Sequence, residues 1–277
     1  MTAVLLALAS AALFGGMTVA LRLGLRGLEN AAVASFATIV VATLVALAAT
    51  AFHPDLHGAW PFLIAGLLAP GGSQILFTFA VREVGASRTS VIVGGAPLIA
   101  VGIALVALDE PLRTPLVLGA IGIVAGGVLL AAERDTPGHF RRIGLLYAAL
   151  AGVLFATRDN VVRALHTHAT PGTAAAATLL AGCFAAGLFA RRIPTRHEAK
   201  RMVPAGLLFG LSYVCLFEAY FRGRVSVVSP LVATESLWGV GLSALLIGKT
   251  EGVGRRLVVG ALLVVAGGVL IGATVSG

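Results

Sequence analysis

Gly223 to Gly248 reads GRVSVVSPLVATESLWGVGLSALLIG, an apolar run bounded by Arg222 and Arg224 at one end and Lys249 at the other, with one carboxylate, Glu235, near its middle. A membrane-spanning helix needs about 20 apolar residues at 1.5 Å rise each. This run supplies them and places Glu235 close to the bilayer midplane. A carboxylate there costs roughly 3 kcal/mol on insertion scales, which neighbouring Leu and Val offset at about 0.3 to 0.6 kcal/mol apiece. The run can insert, but its carboxylate cannot rest against lipid. Leu231 and Gly239 sit four residues before and after it, so no base on the same helix pairs with it. Its partner is expected on another helix, in water or in a ligand.

Outward from this run the whole chain has the same character. Of 277 residues 58% are hydrophobic and 12% charged, with mean hydropathy +0.99, against about 25% charged in a soluble domain. Ten apolar runs separate at charged or turn-rich breaks, at roughly 3–23, 31–51, 59–81, 86–107, 114–132, 143–165, 171–190, 202–221, 225–248 and 255–275. Their continuity excludes a β-barrel, whose strands alternate, and the short connections leave no soluble domain. The expected fold is an all-α integral membrane protein. The first run lacks a basic segment before it and is too long for a signal-peptide core, so it is expected to stay as a helix. Cys183 and Cys215 lie in separate runs with no CxxC spacing, and His166 with His168 reads as a wet helix end. No metal and no cofactor is therefore expected. The net charge of +8 suggests nucleic acid only if the positions of the charges are ignored.

Those positions speak for orientation. Fifteen of the 20 Lys and Arg fall in the odd-numbered connections, among them Arg22, Arg82, Arg134, Arg141, Arg192 and Lys249. Only Arg113, Arg163, Arg222 and Arg224 fall in the even ones. The positive-inside rule puts the rich side in the cytoplasm. Both termini are expected in the periplasm of a bacterial-type inner membrane.

The second half repeats the first at an offset of about 140 residues. Leu13-Phe14 and Arg22 recur as Leu154-Phe155 and Arg163, Ala65-Gly66-Leu67-Leu68 as Ala205-Gly206-Leu207-Leu208, and Gly126-Gly127-Val128-Leu129 as Gly267-Gly268-Val269-Leu270. Five helices repeating as five enter the membrane in opposite senses, which predicts two inverted-topology repeats, 1–137 and 138–277, and alternating access at their interface. Breakers at membrane depth strengthen this: Pro70-Gly71-Gly72 in the third run, Gly94-Gly95-Ala96-Pro97 in the fourth, and Ser229-Pro230 with Thr234-Glu235-Ser236 in the ninth. Such backbone is tolerated where it lines a cavity. The fifth and tenth runs carry only Gly122 with Gly126 and Gly268 with Gly272 at GxxxG spacing, packing faces for use within the chain or in a homodimer.

Each half resembles an EamA repeat of the drug/metabolite transporter superfamily, through Gly85-Ala86-Ser87, Pro97, Glu110 thirteen residues on, Gly119-Ala120 and a glycine-rich last helix. The second copy has Ser236 at the proline position and Lys249 at the glutamate position, with Glu251 nearby. Within the superfamily the nearest resemblance is to YddG-type exporters of aromatic amino acids and related metabolites. The resemblance implies export of amino acids or similar small molecules.

The sixth run sets Phe155, Arg158, Asp159 and Val162 on one helical stripe, matched in the first run by Phe14, Met17, Thr18 and Leu21. Charges at that depth are expensive and face a cavity or a partner. Asp159 has Arg163 at i+4 as a local partner. Arg158 has no carboxylate at i±4 and is expected to meet Glu235 or a substrate carboxylate. Tyr213, Phe217 and Tyr220 form an aromatic stripe in the eighth run, matched by Ser73 and Phe77 in the third, and Trp238 lies one turn from Glu235. Aromatic walls around a few polar groups suit a small, partly apolar ligand. The expected substrate-binding set is thus Glu235, Arg158, Asp159, Trp238, Tyr213, Phe217, Phe155, Phe14 and Phe77. Glu218 with Arg222 at i+4 reads as a surface pair. An enzyme is not expected, since HExxH and GxSxG are absent. Uptake of a sugar or nucleotide derivative and a non-transporting structural role are the alternatives to export. The expected partners are a small-molecule substrate and the lipid bilayer, not nucleic acid.

Overall fold

The computed structural model describes residues 1–51, 58–107, 114–131, 140–167, 169–248 and 254–273. Among them, all regular structure is helical: α1 Thr2–Leu25, α2 Ala31–Thr50, α3 Trp60–Gly66, α4 Ser73–Val84, α5 Ala86–Val93, α6 Ala96–Ala107, α7 Thr114–Ala131, α8 Ile143–Ala164, α9 Pro171–Ala190, α10 Arg196–Arg222, α11 Val225–Val232, α12 Glu235–Leu246 and α13 Arg255–Ala273. Local chemistry sets several starts. The Asn30 side chain accepts from the Ala32 and Val33 amides at the head of α2, and Thr170 caps α9 ahead of Pro171. Thr195 and Glu198 form a reciprocal capping box on α10.

Eight stretches are long and apolar enough to cross a membrane: Thr2–Leu25, Ala31–Thr50, Trp60–Val84, Ala86–Ala107, Ile143–Ala164, Pro171–Ala190, Arg196–Arg222 and Val225–Leu246. Their outer surfaces are apolar, with Leu5, Leu44, Ile64, Phe184, Leu188 and Leu245 all more than half exposed. Polar side chains turn inward. Thr18, Thr38 and Thr78 each donate to the carbonyl four residues back, the usual way a hydroxyl is satisfied without water. The two remaining long helices, α7 and α13, lie against each other. A Cβ on Gly126 would come within 2.6 Å of the Gly260 carbonyl, and one on Gly122 within 3.3 Å of Gly267. The Gly122 and Gly126 face is therefore used within the chain, and Gly268 turns instead to the Pro230 carbonyl of α11.

The expected breaks appear in three spans. In the third, a wide turn over Leu67–Gly72 joins α3 to α4, with Ala69 at φ −143° and ψ 111° beside Pro70. In the other two the interruption has one form: α5 and α6 are 8 and 12 residues long around Gly94-Gly95, and α11 and α12 are 8 and 12 residues long around Ala233-Thr234. Pro230 lies inside α11 and the break follows three residues later. Glu235 is thus the first residue of a half-helix, at the place Ala96 holds in the first half.

The interrupted spans meet. The Ser236 hydroxyl donates to the Ser90 carbonyl at 3.0 Å, and a Cβ on Gly239 would lie 2.5 Å from that of Ser90. A Cβ on Gly15 would lie 2.9 Å from the Glu235 carbonyl oxygen, so α1 closes on the other side of α12. A charged cluster also gathers where the second half begins. Glu83, 6% exposed, receives Arg82 at 2.9 Å and Arg141 at 3.2 Å, and its carbonyl accepts from the Arg141 amide. Arg22 donates to the Val81 and Arg82 carbonyls at the end of α4. Arg163 makes the counterpart contact with the Tyr220 carbonyl near the end of α10.

Candidate functional site

Between α1, α5, α6, α8, α10, α11 and α12 lies a buried cavity of about 40 Å³, lined by Ser10, Phe14, Val93, Ala96, Pro97, Phe155, Arg158, Asp159, Ser212, Tyr213, Leu216, Ser229, Val232, Ala233 and Glu235. At about 10 to 15 Å³ per water, it has room for roughly three. A metabolite enters only if the helices part.

One wall belongs to α8. Arg158 and Asp159, 5% and 6% exposed, bind each other: Nη2 lies 2.6 Å and Nε 2.8 Å from Oδ1. The Tyr220 hydroxyl donates to Oδ2 at 2.7 Å, and Arg163 fixes the Tyr220 backbone. The guanidinium lies 4.8 Å from the centre of the Tyr213 ring and 5.4 Å from that of Phe155, within cation–π range. Among the described residues, Arg158 Nη1 and the Tyr213 hydroxyl have no hydrogen-bond partner. Buried donors left in that state cost about 1 to 3 kcal/mol each. Here they line the cavity.

The opposite wall carries Glu235, 4% exposed. No hydrogen bond or ion pair reaches its carboxylate among the described residues, although Arg158 and Asp159 are within electrostatic reach. A third wall is neutral. Ser10 and Ser212 exchange hydrogen bonds, Ser10 Oγ to the Ser212 carbonyl at 3.0 Å and Ser212 Oγ to the Ser10 carbonyl at 2.9 Å, which joins α1 to α10.

Of the nine residues expected from the sequence, Glu235, Arg158, Asp159, Tyr213, Phe155 and Phe14 line the cavity. Phe77 and Phe217 stand behind it: Phe77 meets Phe14 edge-on at 5.2 Å and Phe217 stacks on Tyr213 at 5.5 Å. Trp238 is not brought there. It is 47% exposed, because the buried stripe of α12 runs through Glu235, Ser236, Gly239, Val240 and Ser243; its Cβ rests against Gly15 of α1 while the α12 face toward Ser90 is formed by Ser236 and Gly239. The direct Arg158 to Glu235 pair is not formed either, since Arg158 is held by its neighbour Asp159. The Asp159 to Arg163 pair gives way to the same contact. Glu218 and Arg222 do pair, at 2.6 Å. Glu110, Lys249, Glu251 and His168 lie outside the described residues. Ser10, Ser212, Ser229 and the supporting Tyr220 hydroxyl were absent from the expected set. Ser10 one turn before Phe14, and Ser212 beside Tyr213, are the signals that could have found them.

Interrupted spans crossing at a small cavity with a few charged and hydroxyl groups in its lining, within a multi-pass helical bundle, are the architecture of a membrane protein that handles small molecules. The EamA-like transporter family matches twice, over residues 1–132 and 142–273. The chain belongs to the EamA-like transporter family, in the drug/metabolite transporter superfamily, a family of membrane transporters of small molecules. No curated protein matches it. A solved structure described only as "Crystal structure of protein" superposes with a TM-score of 0.73 over 99% of this chain and 96% of its own, at 20% identity, a likeness of fold.

Proposed function

We propose that the protein is a secondary transporter that moves small amphipathic metabolites, amino acids with apolar side chains and their relatives first among them, outward across a bacterial inner membrane by alternating access. One observation carries this reading: a cavity at the crossing of two interrupted spans is lined by the Glu235 carboxylate and by an Arg158 guanidinium nitrogen and a Tyr213 hydroxyl that have no hydrogen-bond partner among the described residues. Broken helices at matching places in two halves are the usual setting of a transported ligand. The equal 8 and 12 residue segments around both breaks support two five-helix inverted repeats, 1–137 and 138–277, with α7 and α13 as the fifth and tenth spans. Both termini are then periplasmic, following the arginine distribution. The resemblance to YddG-type exporters read from the sequence supports the outward direction. The small closed volume fits an intermediate from which either side opens. Phosphorylated sugars and nucleotides fit poorly, because among the described residues Arg158 is the one cation lining the cavity and Asp159 already holds it.

The test is exchange in liposomes containing the purified protein, with labelled amino acids and amines inside and out, with and without a pH gradient. Saturable flux that Arg158→Gln abolishes is expected. Flux no faster than in protein-free liposomes for every compound would sink the reading.

A further inference from the structure

The cavity has an unbalanced charge. Among the described residues, three carboxylate or guanidinium groups line it: Arg158, Asp159 and Glu235. The first two neutralise each other at 2.6 Å, and the Tyr220 hydroxyl completes the Asp159 carboxylate. Glu235 remains. Around it α8 presents Arg158 and Asp159, while α10 presents Ser212 and Tyr213, α1 presents Ser10, and α6 presents Ala96; α5 presents Ser90 to Ser236, and its buried Arg88 lies over the Phe140 ring and does not line the cavity. The α13 side chains packed near α12, such as Leu257 and Ala261, are apolar. Among the described residues, Arg158 is the one cation that lines the cavity. A lone carboxylate at this depth is costly, so its compensation must arrive from outside the protein. On the facing wall the orphaned groups are of the other kind: Arg158 Nη1 and the Tyr213 hydroxyl are donors awaiting an acceptor.

We infer that the cavity is built for a ligand bearing one ammonium group and, at its other end, an uncharged hydrogen-bond acceptor. The ammonium pairs with Glu235, and the acceptor takes the free Arg158 nitrogen and the Tyr213 hydroxyl. This rests on the transport reading above but changes its order of substrates, ranking amines and amino alcohols ahead of free amino acids, whose carboxylate would add a third negative charge to a site holding one guanidinium. An inorganic cation is a poorer occupant, because the space is walled by Phe14, Phe155 and Tyr213 and faced by Arg158. In the empty site a proton on Glu235 takes the place of the ammonium. Binding then transfers that proton to solvent, leaving an ammonium–carboxylate ion pair, and no covalent bond within the ligand changes. One proton crosses for each ligand carried the other way.

Three congeners that share a ring and differ in charge test the inference by calorimetry on the wild-type protein in lipid nanodiscs: phenylalaninol, an ammonium with a hydroxyl; phenylalanine, a zwitterion; and N-acetylphenylalanine, an anion. Each is titrated in two buffers of different ionisation enthalpy, which reads out proton release. Phenylalaninol is expected to bind about tenfold tighter than phenylalanine or better, as one favourable charge contact gives, with about one proton released, and N-acetylphenylalanine weakest. Glu235→Gln should abolish the proton release and weaken phenylalaninol on the order of 30-fold, leaving the particle monodisperse. Should that variant not fold, the wild-type ranking and proton count decide alone. Equal or tighter binding of phenylalanine, no binding of phenylalaninol, or binding without proton release overturns the inference. Amino-acid flux in liposomes without phenylalaninol binding would leave the transport reading standing and remove this one. Phenylalaninol binding without any flux would do the reverse.

Discussion

Which carboxylate neutralises Arg158 can be measured as a coupling energy. Arg158 and Asp159 are both about 95% buried and share two contacts at 2.6 and 2.8 Å, whereas Glu235 touches Arg158 through no hydrogen bond. Removing one member of a buried pair typically costs about 3 to 5 kcal/mol because the other charge is stranded. Asp159→Asn keeps one acceptor oxygen for the guanidinium, so its cost falls near the lower end, about 3 kcal/mol. Arg158→Gln strands two carboxylates near each other and falls near the upper end, about 5 kcal/mol. The double change leaves no stranded pair. It should cost well below the sum, with a coupling of about 2 to 3 kcal/mol, the top of the range for residues in one network. The Arg158 and Glu235 cycle should give less than about 1 kcal/mol. Tyr220→Phe, which removes one hydrogen bond inside a membrane, sets the scale of the smaller effect at about 0.6 to 2 kcal/mol. Unfolding in mixed micelles titrated with SDS, run on the singles and doubles, gives both cycles. A larger coupling between Arg158 and Glu235 than between Arg158 and Asp159 refutes the charge assignment on which the cavity chemistry is built.

Gly239→Val should destabilise the protein by about 1 to 3 kcal/mol through overpacking against Ser90 and stop transport, whereas Gly241→Val, with nothing within 4 Å of its added carbon, should do neither; the same unfolding and flux assays read both. Cysteine at Tyr213 should react slowly with a small polar thiol reagent and be protected by ligand, while cysteine at Trp238 should react only with a lipid-soluble reagent, and identical labelling at the two would contradict their placement. A reporter fused after Gly277 that is active only in the periplasm should be active, and cytoplasmic activity would reverse the orientation while leaving the fold untouched.

Much of the architecture could be read from the sequence because membrane insertion imposes a coarse rule. Apolar runs of sufficient length must become helices, and Gly94-Gly95 and the stretch around Pro230 interrupt them in ways any neighbour must accommodate. Glu235 was legible for the same reason, as a charge with no local partner. Its surroundings were not. Helical spacing treats i±4 as the partner positions, so Arg158 seemed free and Asp159 seemed to belong to Arg163. The long Arg158 side chain instead folds back onto its immediate neighbour, a geometry fixed by the Tyr213 and Phe155 rings flanking the guanidinium, which belong to two different helices. Trp238 failed differently. Being three residues from Glu235 places it near the same face, but the face that counts is set by what lies opposite: Ser236 and Gly239 meet Ser90, and Trp238 touches α1 only at its Cβ, beside Gly15. Glu83 had no apolar context to make it conspicuous, since it stands where a span ends and a solvated charge is ordinary. Its burial beneath Arg82 and Arg141 depends on the start of the second half folding back over the end of α4, with Gly144 pressed against the Glu83 side chain. Since α4 and α8 belong to different halves, that ion cluster must break or slide if the halves rock against each other, whereas the bonds from Arg22 of α1 to α4 and from Arg163 of α8 to α10 each lie within one half and can persist.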